Sequence, residues 1–369
     1  MRRNFETLPA SRAVRPEAPP VPLLRASPAR GTVPPSLVVD EAVIRLPRRR
    51  LPSLSALLLP AGTTATAQTP DAFPERPVRY VVPFAPAGLT DIMARLLAQR
   101  LSEIWGKPVV VDNRPGGNAM IGADAAAKAA PDGHTLLAVT LTHAVNASLY
   151  PNAPYDLRQD FAAVSVLGAL PLVVAVPAAH PARDLAGLLA MARTRQMSAG
   201  SSGNGSPPHL GLELVRRIAG AGPNLVHVSY RGGAPAVTDL VAGNLDLIVS
   251  NLPECIAQLR AGRLRGLALT DRQRHRLVPD IPTVAEAGAP DLLITNWTAV
   301  LTNAAVPRPV LRRLEADVLL AMRDGELVRR AEEGGFDVLG WDSARSTAHV
   351  QAEVGRWGRL VAEAGIRAD

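Results

Sequence analysis

From Gln68 onward the chain switches repeatedly between short, almost wholly apolar runs and segments whose apolar residues recur at helical spacing. Arg79–Phe84, Pro108–Asp112, His134–Thr140, Leu172–Val176, Val226–Tyr230, Leu245–Val249 and Leu264–Leu269 read as strands. Between the first two, Ile92, Leu96, Leu97, Leu101 and Ile104 form one face of a helix. Near the end, Val350, Val354, Trp357 and Val361 make a 4-3-4 stripe, the pattern of a helix docking on a core. Strands alternating with helices predict an α/β fold built on parallel, doubly wound sheets. Seven or more strands with their crossovers, in the roughly 300 residues that remain after Ala67, predict two lobes rather than one. Ligands in such sheets sit beyond the carboxyl ends of the strands.

The first 67 residues read differently. Residues 1–46 are rich in proline and arginine without sustained apolar periodicity and are expected to be disordered. Residues 47–67 have the order of a secretory signal: Arg48, Arg49 and Arg50, then the apolar run Leu51–Pro60, then Ala65-Thr66-Ala67 as a small-residue cleavage site. Signals normally begin a chain, so a translation start downstream of Met1, near residues 38–46, is expected. Charge supports the division. Residues 1–67 carry ten arginines and four acids, which leaves 30 basic and 29 acidic residues of the chain's 40 and 33. The net charge of +7 therefore lies almost entirely in the leader, and the near-neutral body lacks the footprint of a nucleic-acid partner. One cysteine, Cys255, excludes an internal disulfide and a zinc site built on paired cysteines. No stretch reaches the roughly 20 apolar residues of a membrane span.

Three loops carry the functional signal. Pro83–Asp91 leaves a strand and enters a helix; Gly88 permits close backbone approach, and Thr90 or Asp91 is expected to cap the helix. Ser198–Pro208 is rich in serine and glycine, with Ser206 as N-cap and Pro207 at the first helical position. Tyr230–Pro235 again joins a strand to a helix. Each is expected to offer free backbone N–H groups at the positive end of a helix dipole, which favours an anion. Arg231 reads equally as a carboxylate clamp or an exposed turn residue. Asp246 reads as a ligand contact or as the end of a turn. Asn113–Asn118 reads as a turn first and a binding candidate second.

Motifs for chemistry are missing: there is no phosphate loop, no G-x-S-x-G elbow and no H-E-x-x-H, and the seven histidines lack ligand spacing. His209 is expected to hold a hydrogen bond at a helix start, and His227 to pack within its strand. No catalytic residue, metal or cofactor is assigned. The enzymatic rival is a serine hydrolase using a serine of the 201–206 loop.

Taken in order, Val82–Asp91, Val109–Gly117, Ile121–Asp124 with Ala129–Gly133, Ser201–Ser206 with His209 and Leu210, Tyr230–Pro235 and Asp280–Gly288 resemble the substrate-binding receptors of tripartite tricarboxylate transporters, the Bug proteins. The resemblance implies a two-domain periplasmic binding fold, type II-like, each domain a doubly wound sheet with flanking helices and the ligand cleft between them. It places domain 1 at 73–172 and 296–369 and domain 2 at 173–295. It implies an exported, periplasmic, monomeric receptor for a small carboxylate, working with a separate membrane permease or a sensor. Ligand positions carried over from the family are Phe84, Ala87, Gly88, Thr90, Asp91, Thr140, Ser202, Gly203, Asn204, Gly205, Ser206, Arg231, Gly232 and Asp246. One departure stands out: the family usually has two adjacent glycines in the first loop, and here Ala87 replaces the first.

Overall fold

The computed structural model describes residues 73–367; the expected leader and signal-like segment lie outside the described residues. In the amino-terminal part, β1 (Val78–Val82), α1 (Leu89–Trp105), β2 (Val109–Asn113), α2 (Met120–Ala127) and β3 (Thr135–Thr140) form parallel crossover units, with β1 between β2 and β3. After α3 (Leu141–Leu149) comes β4 (Phe161–Pro177), a strand of 17 residues. Then follow α4 (Leu185–Thr194), β5 (Met197–Ser201), α5 (Pro207–Ala219), β6 (Leu225–Ser229), α6 (Gly233–Val241), β7 (Leu247–Asn251), α7 (Leu252–Arg260) and β8 (Leu264–Leu269). The chain returns through β9 (Thr295–Asn303) and ends with α8 (Arg308–Ala321), α9 (Gly325–Glu333), β10 (Asp337–Val338) and α10 (Ser343–Ala364).

The sheet runs β2-β1-β3-β9-β4-β7-β5-β6, with β8 and β10 also paired to β4. Its outer pairs are parallel, but β9 is antiparallel to both β3 and β4, and β4 is antiparallel to β7, β8 and β10. The expectation of wholly parallel sheets is therefore corrected at the centre. The cause is topological: β4 leaves the first half of the sheet for the second and β9 comes back, so both cross the molecule against their neighbours. Phe161–Pro171 of β4 pairs with β9, whereas Leu172–Pro177 pairs with β7 and β8. At the changeover, Thr270 Oγ1 accepts from the Leu172 N–H (2.9 Å) and donates to the carbonyl of Ile294 (2.6 Å). One hydroxyl thus ties together the outgoing strand, the end of β8 and the approach to β9.

Both faces of each half are buried, as strands covered by helices require. Tyr80 and Val82 face α1 and α8 through Met93, Leu97 and Leu314, while Val81 faces Ala123 and Val145. In the second half Val174 and Val176 pack with Leu188, Leu210 and Val215, and Val173 and Ala175 with Val237, Leu240 and Leu252. The expected carboxy-terminal stripe docks as α10. Its Trp357 and the Trp297 of β9 both donate to Glu353 Oε2, at 2.7 and 3.1 Å, within the core.

Candidate functional site

The β1–α1 loop is held from beneath. Asp91 is 1% exposed. Its Oδ2 accepts from the Ala87 N–H and Arg95 Nε, both at 2.8 Å, and its Oδ1 from Asn113 Nδ2 at 2.8 Å. Burial works against ionisation of this carboxyl, but the hydrogen bonds from Arg95, Asn113 and Ala87 outweigh it and hold Asp91 below the ordinary carboxylate range. Asn113 also donates to the Phe84 carbonyl at 3.2 Å. The loop geometry is thus set by a buried carboxylate, its partner arginine at the surface, and an amide. Gly88, not Thr90 or Asp91, is the N-cap of α1, and no side chain caps that helix. Ala87 has φ +63°, the left-handed region where glycine is favoured.

The serine loop is tied down differently. Ser206 caps α5 by accepting from the His209 N–H (3.3 Å) and donates to the Gly203 carbonyl (2.6 Å). His209 Nδ1 accepts from the Gly205 N–H (3.1 Å), and the His209 ring stacks on His227 at 4.0 Å. Ser201 Oγ lies 2.6 Å from His227 Nε2 and accepts from the Gly203 N–H (3.2 Å). Pro207 and Pro208 carry no N–H and the next one is taken by Ser206, so the expected row of free donors at this helix start is absent. A Cβ on Gly205 would lie 2.7 Å from Leu149 Cδ2, so this loop packs directly against α3 in the other half of the sheet.

A cavity of about 720 Å³ lies between these loops, within the usual range for small-molecule sites. Phe84, Gly88, Thr90, Thr140, Ser202, Ser206, Arg231 and Gly232 are brought together around it. Ala87 lines an adjoining pocket of about 830 Å³ that shares Gly88, Arg231 and Gly232 with the first. Four other expected positions stand behind the wall: Asp91 with both oxygens engaged, and Gly203, Asn204 and Gly205, which shape the serine loop. Asp246 is elsewhere. It precedes β7, and its carboxylate accepts from the Ser198 N–H (2.7 Å), Ser198 Oγ (3.0 Å) and Arg195 (3.0 Å). Ser198 is at the amino end of β5, whereas the cavity lies at the carboxyl ends, so Asp246 ends a turn and does not reach the cavity.

The cavity also gathers Pro115, Gly116 and Asn118 from the turn read as a second-choice binding candidate, and residues that motif reading passed over: Ala119 before α2, Thr142 in α3, Asn251 and Glu254 at the start of α7, and Asn296 in β9. The available signal was that all of these but Asn296 lie just after a strand or at a helix start. Six helices, α1, α2, α3, α5, α6 and α7, therefore place residues of their cap or first turn on one cavity. An open helix start biases such a site toward an anion by about 0.3–1 kcal/mol. Arg231 and Glu254 are the two charged side chains of its lining. Beneath Phe84, the ring of His143 packs edge-on at 5.9 Å, and His143 Nδ1 accepts from the Thr140 N–H at 3.1 Å. Full burial pushes this imidazole down to about 4, so it is neutral.

Residues 93–366 match the sequence profile of the tripartite tricarboxylate transporter family receptor. The chain belongs to this receptor family. Protein BugT of Bordetella pertussis is 33% identical over 323 residues, covering 86% of this chain and 98% of BugT. Among solved structures, Rpa4515 of R. palustris with adipate superposes with a TM-score of 0.72 at 34% identity, covering 80% of this chain and 99% of that one. MatC (Rpa3494) from Rhodopseudomonas palustris, with bound malate, gives 0.70 at 29% identity, covering 78% and 100%. The tripartite tricarboxylate receptor fold is thus that of a periplasmic binding protein. Among the described residues, no helix of this receptor is long and apolar enough to cross a membrane.

Proposed function

We propose that this receptor captures a small organic carboxylate in the cleft between the two halves of its sheet, closes over it, and presents it to a separate membrane permease of the tripartite tricarboxylate type or to a sensor. The observation that carries this reading is the arrival of six helix starts at one cavity, those of α1 and α3 open to a ligand, with Arg231 at its wall. The α1 start (Gly88, Leu89, Thr90) and, in the α3 start, Thr142 supply backbone donors; the Asp91 carboxylate of the α1 first turn is turned away and engaged by Ala87, Arg95 and Asn113. Ser202 adds a hydroxyl from the serine loop. Relatives solved with malate and adipate support the same ligand class. The contact set is proposed as Phe84, Gly88, Thr90, Thr140, Ser202, Ser206, Arg231 and Gly232, with Ala87 at the rim.

We further infer that the lobes divide near 172/173, where β4 passes from β9 to β7 and β8, and near 295/296, where β9 begins, that the receptor works as a monomer without a cofactor, and that export removes the leader near Ala67. Amino-terminal sequencing of secreted protein checks the last point; a mature chain starting near Met1 overturns it.

The test of binding is a thermal-shift panel of dicarboxylates, tricarboxylates, hydroxy acids, amino acids and aromatic acids, with ligand recovery afterwards. Stabilisation with the ligand recovered intact is expected. Failure of every acid, with stabilisation by neutral compounds, sinks the carboxylate class. The 2.6 Å contact of Ser201 with His227 favours a second reading, a hydrolase. Against it, Ser201 is buried and is not among the cavity-lining residues, and the pair braces its own loop. Turnover of activated esters that is abolished by Ser201→Ala would establish the hydrolase instead.

A further inference from the structure

Two helix starts on the cavity are already occupied by the protein itself. Glu254, in the first turn of α7, lays its carboxylate against Gly233, the first residue of α6: a Cβ there would meet Glu254 Oε2 at 2.0 Å and Oε1 at 2.6 Å. Gly233 is thus the residue that makes room for the carboxylate. Two neighbours hold it in place: Ser250 Oγ donates to Oε2 and Asn251 Nδ2 to Oε1 (3.1 Å). Asn251 Oδ1 in turn accepts from Asn296 Nδ2 (3.0 Å), which leaves Asn296 Oδ1 without a hydrogen-bond partner on the cavity side of β9. Glu254, Asn251 and Asn296 all line the cavity. Burial pushes the Glu254 carboxyl above its ordinary range, against the hydrogen bonds from Ser250 and Asn251.

The cavity is therefore two-sided. The α1, α2 and α3 starts, in the first half of the sheet, present helix N-termini, and the one acid of their first turns, Asp91, is buried and engaged by Ala87, Arg95 and Asn113. The α6–α7 corner, in the second half, presents the Glu254 carboxyl, both of whose oxygens accept from Ser250 and Asn251, and the Asn296 amide oxygen, with Arg231 just ahead of α6 as the cation of the lining. Burial already disfavours one negative charge in this corner, so a second carboxylate on the ligand would enter it only at the cost of like-charge repulsion or of taking up a proton. A hydroxyl, ammonium or carboxamide N–H would find acceptors there. Sites that leave a buried polar group unpaired discriminate strongly between such ligands.

Resting on the carboxylate-receptor reading, we propose that Glu254 is the specificity-determining residue of this receptor: it selects ligands with a carboxylate at one end and a hydrogen-bond donor at the other, and rejects unsubstituted dicarboxylates. Ser250, Asn251 and Gly233 position it.

Calorimetric titration of the full chain tests this with matched series of four to six carbons: succinate, glutarate and adipate against the ω-amino and ω-hydroxy monocarboxylates of equal length. The donor-ended acids are expected to bind at least about tenfold tighter than the diacids. In E254Q the ratio should fall to within about threefold, mainly through tighter diacid binding. If E254Q does not fold, Glu254→Ser removes the same charge and is read the same way. Preferred binding of diacids, with a ratio unmoved by either substitution, overturns this inference and leaves the carboxylate reading standing. Binding of no acid in either series, alongside stabilisation by neutral compounds, overturns both.

Discussion

Replacing Ala87 with glycine should stabilise this protein, against the normal effect of that substitution. At φ +63° the alanine Cβ crowds its own backbone, a cost of roughly 1–2 kcal/mol for an L-residue in the left-handed region. The conformation is not free to relax, because the Ala87 N–H is bonded to Asp91 Oδ2 at 2.8 Å and Asp91 is itself locked by Arg95 and Asn113. Ala87 is exposed, so losing its methyl group forfeits little burial. Glycine brings back about 0.4–1 kcal/mol of unfolded-state entropy. The balance is a gain of about 0.5–1 kcal/mol, or about 1–4 °C in unfolding midpoint for a protein of this size. Ala85 is the internal control: it is equally exposed in the same loop but has no left-handed φ. Ala85→Gly should lower stability by about 0.5–1 kcal/mol. Urea denaturation followed by tryptophan fluorescence, with thermal melts in parallel, reads both. If Ala87→Gly lowers the midpoint as much as Ala85→Gly, the argument from backbone strain is refuted.

Other expectations follow from the core and the cleft. Glu353→Ala strands the indole N–H groups of two buried tryptophans, Trp297 and Trp357, at about 1–3 kcal/mol each, whereas Glu353→Gln keeps an acceptor and should cost about 1 kcal/mol; equal losses in urea midpoint would contradict this. His143 has a folded-state value near 4 against an ordinary 6.5, so the unfolded chain binds more protons between the two. Its contribution, up to about 3 kcal/mol, is present above pH 6.5 and lost as pH falls toward 4; the stability–pH slope in that window should flatten in His143→Gln, and an unchanged slope argues against a buried neutral ring. Gly205→Ala combines φ +68° with a Cβ 2.7 Å from Leu149 Cδ2, and should weaken carboxylate binding by spoiling the approach of the serine loop to α3; unaltered affinity would show that the loop tolerates displacement.

Burial and local order were legible where one element satisfies its own pattern. The helical repeat at Ile92–Ile104, the stripe from Val350 to Val361 and Ser206-Pro207 as a helix start were all readable, because propensity, capping and amphipathicity act over a few residues. Strands without that autonomy were not. Met197–Ser201 is serine- and glycine-rich and reads as loop; it becomes a strand because Gly200 leaves room for Leu245, at 2.5 Å from where a Cβ would stand. Only part of β4 was visible, since irregular register between Ala163 and Ser165 and between Val166 and Gly168 breaks the alternation on which strand reading depends. The short apolar stretch of Thr295–Asn303 is framed by threonine and asparagine, and it is a strand because β3 and β4 pair with it from either side.

The site divides along the same line. By itself the sequence pointed to strand-to-helix loops rich in Gly, Ser and Thr as the place to look for an anion-favouring site, because loop chemistry and helix dipoles are local properties. Which of those residues line the cavity was decided only by tertiary packing. It turned Asp91 inward as a brace, left Asp246 at the far end of its strand, and brought Asn296 from β9 beside Asn251 and Glu254 from β7 and α7. Glu254 reads in the sequence as an ordinary helix-start acid. It becomes a wall of the cleft because an absent side chain at Gly233, 21 positions earlier, lets its carboxylate lie against the start of a second helix.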